Sequence, residues 1–517
     1  MNDSTRSFSP SLVVVTLLGI ILSLLPLGAQ GFAQSEQDHR AWLRALDSLS
    51  SERMLADVRT LSDPAFNGRQ AGSDDDLRSA KWVAQELTLA RLQLPLIFNT
   101  PLAFPFAQSR KRALVGIMAS MISTSLIGPD PVFRTGTGDQ FVTAQLSKDY
   151  LPIFDSPSAD IQGPIIFVGY GIVDPTQGVN DYAGIDVNNC IVLFLRGKPD
   201  YYQGSISHAD KVRFARDRGA VAYLTATGPI LNSYEARRGV TGKPSAFYGQ
   251  LPTDQTLPGA WISTNLAENL LAGGSGGASA DRLRTLQEQL NTGPPARSHR
   301  TNQYVSLHWN TTIQDGLLTN VVGMIPGTGQ DTIIIGAHRD HFGRPAGLYF
   351  PGADDNASGT AVMLEVARAL GKSGLRPQRT ILFVSFSGEE NNLIGSRLYT
   401  SRPVVPLDST KAMINIDHAG VGNGRLTVGI TRIEKTTAEE AVRAAGLTDK
   451  LDLYGFFPGG DHVPFKEAGV PTITIVSGGI HPHFHQPTDT ADTINPEILQ
   501  AVARYVLALS WQLANVQ

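Results

Sequence analysis

Most of the 11 histidines of this chain fall between His338 and His485, and acidic residues share their segments. The clusters are His338-Arg-Asp340-His341, Asp354-Asp355, Glu389-Glu390, Asp417-His418 and His481-Pro-His483-Phe-His485. Imidazoles and carboxylates without thiolates form the donor set that suits zinc in a hydrolytic site. Carboxylates gathered in one place repel each other and acquire raised pKa values. A dication removes that penalty, so the pattern predicts a metal centre. Helix capping is the plain alternative for Asp355, Asn356 and Ser358. Capping accounts for one such residue, not for two adjacent aspartates in a loop that faces other carboxylates.

Side chains this far apart in sequence need a scaffold to meet. Thr332–Ala337, Thr380–Phe386, Ala412–Ile416 and Thr472–Val476 are continuous apolar runs rich in Ile and Val. Such runs read as parallel strands buried on both faces. Helical periodicity fits Ala357–Leu370, Thr437–Ala445 and Pro496–Ala514. The alternation predicts an α/β fold, a three-layer αβα sandwich around a mostly parallel central sheet. Each predicted strand leads into a histidine or carboxylate cluster just past its carboxyl end. In open α/β sheets, sites are built at that edge.

The rest of the chain divides by texture. Residues 37–95 read as helical, whereas 96–160 are rich in Pro, Gly and Ser and read as irregular. Pro164–Val168, Ile191–Leu195 and Ala220–Leu224 read as strands, with a helix over Lys211–Arg218. Gly273–Ala280 reads as a small-residue linker. These textures place a signal segment at 1–34, the N-terminal part of the main domain at 35–155, a smaller β-rich or αβ insert at 156–300 and the catalytic domain at 301–517. The sequence of 517 residues is 42% apolar and 17% charged with net charge −4, an ordinary globular composition. No basic run tracks phosphates, so nucleic acid is not an expected partner. The single cysteine, Cys190, excludes an intrachain disulfide and reads as a buried structural thiol. Arg6 followed by the uncharged apolar stretch Leu12–Leu25 reads as an export signal, with Gly31-Phe32-Ala33 as the cleavage region. The expected location is therefore periplasmic or extracellular, with membrane contact only if that segment is retained.

His338-x-Asp340, Gly352-Ala-Asp-Asp-Asn-Ala-Ser-Gly359, Glu389-Glu390, Asp417 and His485-Gln-Pro-Thr-Asp489-Thr resemble, in order, the motifs of the co-catalytic zinc exopeptidases. That family includes bacterial leucyl aminopeptidases and glutamate carboxypeptidase II. The likeness spans residues 316–495. Phe167-Val-Gly-Tyr-Gly-Ile172 and Asp181-Tyr-Ala-Gly-Ile-Asp186 resemble the family's inserted protease-associated domain. Gly68-Arg69 and Gly72 resemble its N-terminal segment. The resemblance implies two zinc ions per chain and an aminopeptidase acting on peptides. It implies that His338 and Glu390 hold one zinc, that His485 and Asp417 hold the other, and that Asp354 bridges them. Glu389 would be the catalytic base, and Asp340 would orient His338. Asp461 and His462 resemble an Asp-His pair near the substrate cleft. His418 stands where the family commonly has Met. A carboxypeptidase or dipeptidase on the same site is the close alternative, with Arg339, Arg344 and Arg397 as candidates to hold a substrate carboxylate. A glutaminyl-cyclase-like transferase and a receptor-like protein with a dead peptidase domain are further alternatives, disfavoured by the complete ligand set.

Overall fold

Ile333, Ile334 and Ile335 are all fully buried, and they point alternately to opposite sides of one sheet. Ile333 and Ile335 pack with Ile381, Phe383, Ile414 and Ile416 into one apolar core. Ile334 packs with Leu382, Val384 and Met413 into another. This is why the strands read as unbroken apolar runs. Helices cover both sides, as the three-layer expectation requires. One side carries Ser51–Leu61, Asp74–Leu89, Gly359–Ser373 and Pro496–Asn515. The other carries Ile394–Ser401 and His462–Glu467.

The computed structural model describes residues 27–91 and 116–515, apart from 139, 232–235, 237–239, 253, 273–281 and 295. The expected linker at 273–280 lies outside the described residues, as does most of the expected signal segment. No helix among the described residues is long and apolar enough to cross a membrane.

The central sheet has eight strands. In spatial order they are Gly116–Ile127, Thr311–Ile325, Thr380–Phe386, Thr332–His338, Thr410–Ile416, Thr472–Ser477, Leu426–Thr431 and Leu451–Tyr454. The four middle strands from Thr380–Phe386 to Thr472–Ser477 run parallel. Antiparallel pairings flank them on both sides.

A second eight-stranded sheet has its own apolar cores on both faces. Its strands begin at Val132 and end with His299–Trp309. The expected boundaries at 155/156 and 300/301 therefore shift outward. Gly116–Ile127 pairs antiparallel with Thr311–Ile325 in the central sheet, and the chain crosses to the second sheet between Ile127 and Val132. Residues 96–160, read as irregular, contain strands at 116–127, 132–137, 140–143 and 150–152. Ser and Thr interrupt the apolar pattern of the first strand, whose outer positions, such as Met121, are exposed. Without an alternating or continuous apolar face, the periodic signal is lost.

Arginines in the interior fasten the loops at the carboxyl edge. Arg69 donates to the carbonyls of Leu61, Arg339, Pro351 and Gly352. Arg339 is fully buried and donates to Asp76 Oδ1 at 2.7 Å, to Ser79 Oγ, and to the carbonyls of Thr319, Ser385 and Phe386. Burial still pushes Asp76 up to about 6 despite its arginine. Removing one member of such a pair strands the other charge. Arg339→Met is expected to cost roughly 3–5 kcal/mol of stability, measurable by urea unfolding. A loss below about 1 kcal/mol would show that the pair is not a fastening point.

Candidate metal centre

The parallel strands deliver their ends to one place. Thr332–His338 ends on His338, Thr380–Phe386 leads to Glu389 and Glu390, and Thr410–Ile416 leads to Asp417 and His418. Thr472–Ser477 feeds the loop that carries His481 and His485. Between Thr332–His338 and the helix Gly359–Ser373, residues Ala353–Ser358 form a widened helical turn. Asp489 holds that turn by accepting from the backbone amides of Asp354 and Asp355, at 2.9 and 3.0 Å. The capping role suggested for several residues here falls to Asn356, whose Oδ1 accepts from the Gly359 amide at 2.9 Å.

Two histidine–carboxylate pairs face each other across Asp355. His338 Nε2 lies 3.4 Å from Asp417 Oδ1 and 3.5 Å from Asp355 Oδ1. His485 Nε2 lies 3.4 Å from Glu390 Oε2 and 3.1 Å from Asp355 Oδ2. Two expectations change here. The shared carboxylate is Asp355 rather than Asp354. Asp354 turns away to His481 Nδ1 at 2.6 Å, His418 Nδ1 at 3.3 Å and the Gly420 amide at 2.8 Å. The pairing also differs: His338 goes with Asp417 and His485 with Glu390. Strand order alone does not fix it, because Thr332–His338 lies between Thr380–Phe386 and Thr410–Ile416 and runs parallel to both; the side-chain distances decide it.

The other expected residues are close by. Glu389 has a carboxylate oxygen within 4.8 Å of donor atoms of both His338 and Asp417. Asp340 Oδ1 accepts from the Glu389 amide at 3.3 Å and lies 3.7 Å from His338 Nδ1. Asp461 is fully buried, and neither of its carboxylate oxygens has a hydrogen-bond partner. His462 is also buried, with Nε2 3.0 Å from the Phe457 carbonyl. It lies within the wall rather than on an open cleft. His483 is a loop residue beside Thr488. The sequence assigns His341 no role of its own, yet its Nδ1 lies 2.6 Å from Glu390 Oε1. Its place in His338-Arg-Asp-His341 was the available signal. None of the three arginines near the motifs supplies a free clamp. Arg339 is committed inside, Arg344 bonds Asn67, and Arg397 pairs with Glu467.

The charge balance calls for a cation. Burial, reinforced by Asp417, Asp461 and Asp355 and opposed by His338, pushes Glu389 up to about 8. Burial with Asp355 and Glu389 raises Glu390 well above the carboxylate range. Burial pushes Asp461 to about 7. His338 Nε2 and Asp417 Oδ1 are buried without hydrogen-bond partners although they face each other. Such lone pairs converging in a buried site are what a divalent ion satisfies. His338–Glu389–Asp417, His341–Asp355–Glu390 and Asp355–Asp417–His418 each bring three donor atoms within 4.8 Å of one another. The residues present therefore fit a metal.

Residues 320–510 match peptidase family M28. This segment is therefore similar to that family. A probable leucine aminopeptidase of Trichophyton verrucosum is 30% identical over 210 residues, covering 38% of this chain and 57% of that protein. A probable glutamate carboxypeptidase of Arabidopsis thaliana is 28% identical over 385 residues, covering 65% of this chain and 51% of that protein. The chain thus spans about half the length of these curated relatives. The solved structure of an aminopeptidase from Aneurinibacillus sp. strain AM-1 superposes with a TM-score of 0.64 at 22% identity, covering 93% of this chain and 97% of that one. That likeness is one of fold, and it runs across nearly the whole length of this chain.

The geometry separates the two aspartates experimentally. Asp355→Asn is expected to abolish stoichiometric uptake in a zinc titration. Asp354→Asn is expected to keep it, weakened by roughly 10–100-fold at most. The opposite ranking would return the shared position to Asp354.

Proposed function

We propose that this chain is an exported metallo-aminopeptidase that holds two zinc ions and removes N-terminal residues from peptides. The observation that carries the reading is Asp355 set between the His338–Asp417 and His485–Glu390 pairs. His338, Asp417 and Asp355 would hold one zinc, and His485, Glu390 and Asp355 the other. Asp355, Asp417 and Glu390 bring three negative charges to offset four positive ones. A zinc pair at such a site supplies Lewis acidity towards a carbonyl and acidifies water.

The protein's own part is proton transfer and placement. Glu389 lies beside His338 and Asp417 without belonging to either pair, and it serves as general base. It takes a proton from the attacking water and returns it to the leaving amine. Asp340 positions it by accepting from its amide. The lining is rich in carboxylates, and the nearby arginines are committed elsewhere. That balance suits a substrate α-ammonium better than an α-carboxylate. Export is supported by the apolar stretch Leu12–Leu25 after Arg6. The match to a probable glutamate carboxypeptidase favours a second reading, a carboxypeptidase on the same centre.

Aminoacyl anilides assayed beside N-blocked peptides separate the two. Cleavage confined to free-amine substrates supports the aminopeptidase, and cleavage of N-blocked peptides alone overturns it. Elemental analysis is expected to find two zinc ions per chain after reconstitution. Glu389→Ala should keep both while kcat falls by about 10²–10⁴. Retained turnover would remove Glu389 as base.

A further inference from the structure

The second sheet reaches into the metal centre through one loop. Residues 244–248 belong to the chain between the strands Ala222–Ala226 and Gly259–Ile262 of that sheet. Ala246 is fully buried. Its carbonyl lies 2.8 Å from His485 Nδ1, and its amide donates to the His485 carbonyl at 3.0 Å. Next to it, Gln486 Nε2 donates to the Pro244 carbonyl and to Ser245 Oγ, both at 2.9 Å. A backbone carbonyl can only accept, so Nδ1 of His485 must carry the proton in this contact. In the neutral ring the lone pair is then on Nε2, the nitrogen that faces Asp355 and Glu390.

The aromatic packing runs the same way. Phe342, four residues beyond His338, packs edge-on to the His485 ring at 4.8 Å. Phe342 and Phe350 belong to the apolar core of the second sheet, together with Tyr248 and Phe154. The histidine loop and the loop after His338 are therefore seated on the second sheet.

We propose that the second sheet is a working part of the metal centre: the Ala246 carbonyl sets the tautomer and ring orientation of His485, so zinc occupancy and docking of residues 244–248 are coupled. The inference rests on the two-zinc reading above. A histidine ligand commonly donates its second ring N–H to a fixed acceptor, and loss of that acceptor weakens metal binding by about 10–100-fold. Coupling is reciprocal, so zinc must stabilise the docked loop as much as the loop stabilises zinc. Anything that lifts the loop would loosen one zinc of the pair and leave the one at His338–Asp417 in place. Ala246 and Gln486 are positioning residues in this scheme.

The test uses the full-length chain, zinc-loaded and chelator-treated, with zinc content measured in each sample. Amide exchange at Ala246 is expected to slow by at least about tenfold with zinc. The amides of Val192 and Leu193, in a central strand of the second sheet, should not change. Gln486→Ala, which removes only the side-chain bonds to Pro244 and Ser245, should still bind two zinc ions at saturation. It should release one of them to a competing chelator roughly 10–100-fold more readily. Two bound zinc ions with unchanged exchange at Ala246, or unchanged release from Gln486→Ala, would overturn the coupling alone. Failure to take up zinc would overturn both this inference and the two-zinc reading.

Discussion

Buried carboxylates crowded at one sheet edge are the constraint around which this molecule is organised. Asp355, Glu390, Asp461 and Asp489 are at most slightly exposed, and Glu389 and Asp417 stand beside them. Held together away from water, these groups repel, and several are driven towards their neutral forms. Nothing about folding alone rewards such an arrangement. It persists because the scaffold around it is over-determined. Four parallel strands are packed on both faces by apolar cores, so their ends are held in place. Arg69 and Arg339 tie the loops that leave those strands.

The same constraint explains why the polar network extends beyond the central pairs. Asp489 spends its carboxylate on the amides of Asp354 and Asp355, which fixes the turn that aims Asp355. Asp354 is drawn off by His418 and His481, which keeps a further negative charge from pointing into the centre. A histidine at position 418, where a methionine would offer no charge, compensates that aspartate. The second sheet joins the arrangement through Ala246 and His485, so the protein's two cores meet at the residues that carry the chemistry.

Much of the central fold was legible because burial on both faces leaves a plain signature. Thr380–Phe386 coincides with its expected span, and the strand expected at Thr332–Ala337 extends by one residue to His338. The helix expected at Pro496–Ala514 ends one residue later, at Asn515. The edge strand Gly116–Ile127 was not legible. It packs on one neighbour, exposes residues such as Met121, and interleaves Ser and Thr with its apolar side chains. The outward shift of the second sheet's boundaries has the same origin. Short strands such as Gln140–Thr143 and Tyr150–Pro152 are defined by their partners more than by their own pattern.

At the centre, the sequence by itself determined which residue types gather, in what order, and on which strand ends. It could do so because strand periodicity and the carboxyl-edge rule are local properties of the chain. It could not choose between Asp354 and Asp355. Two adjacent side chains leave the backbone in different directions, and only the turn held by Asp489 decides which one faces inward. Nor could it pair His338 with Asp417 and His485 with Glu390, because pairing follows from the side-chain distances in space. The contact from Ala246 to His485 joins residues 239 positions apart and uses a backbone carbonyl. A carbonyl is present at every residue, so no side-chain type marks that contact, and only the tertiary structure could reveal it.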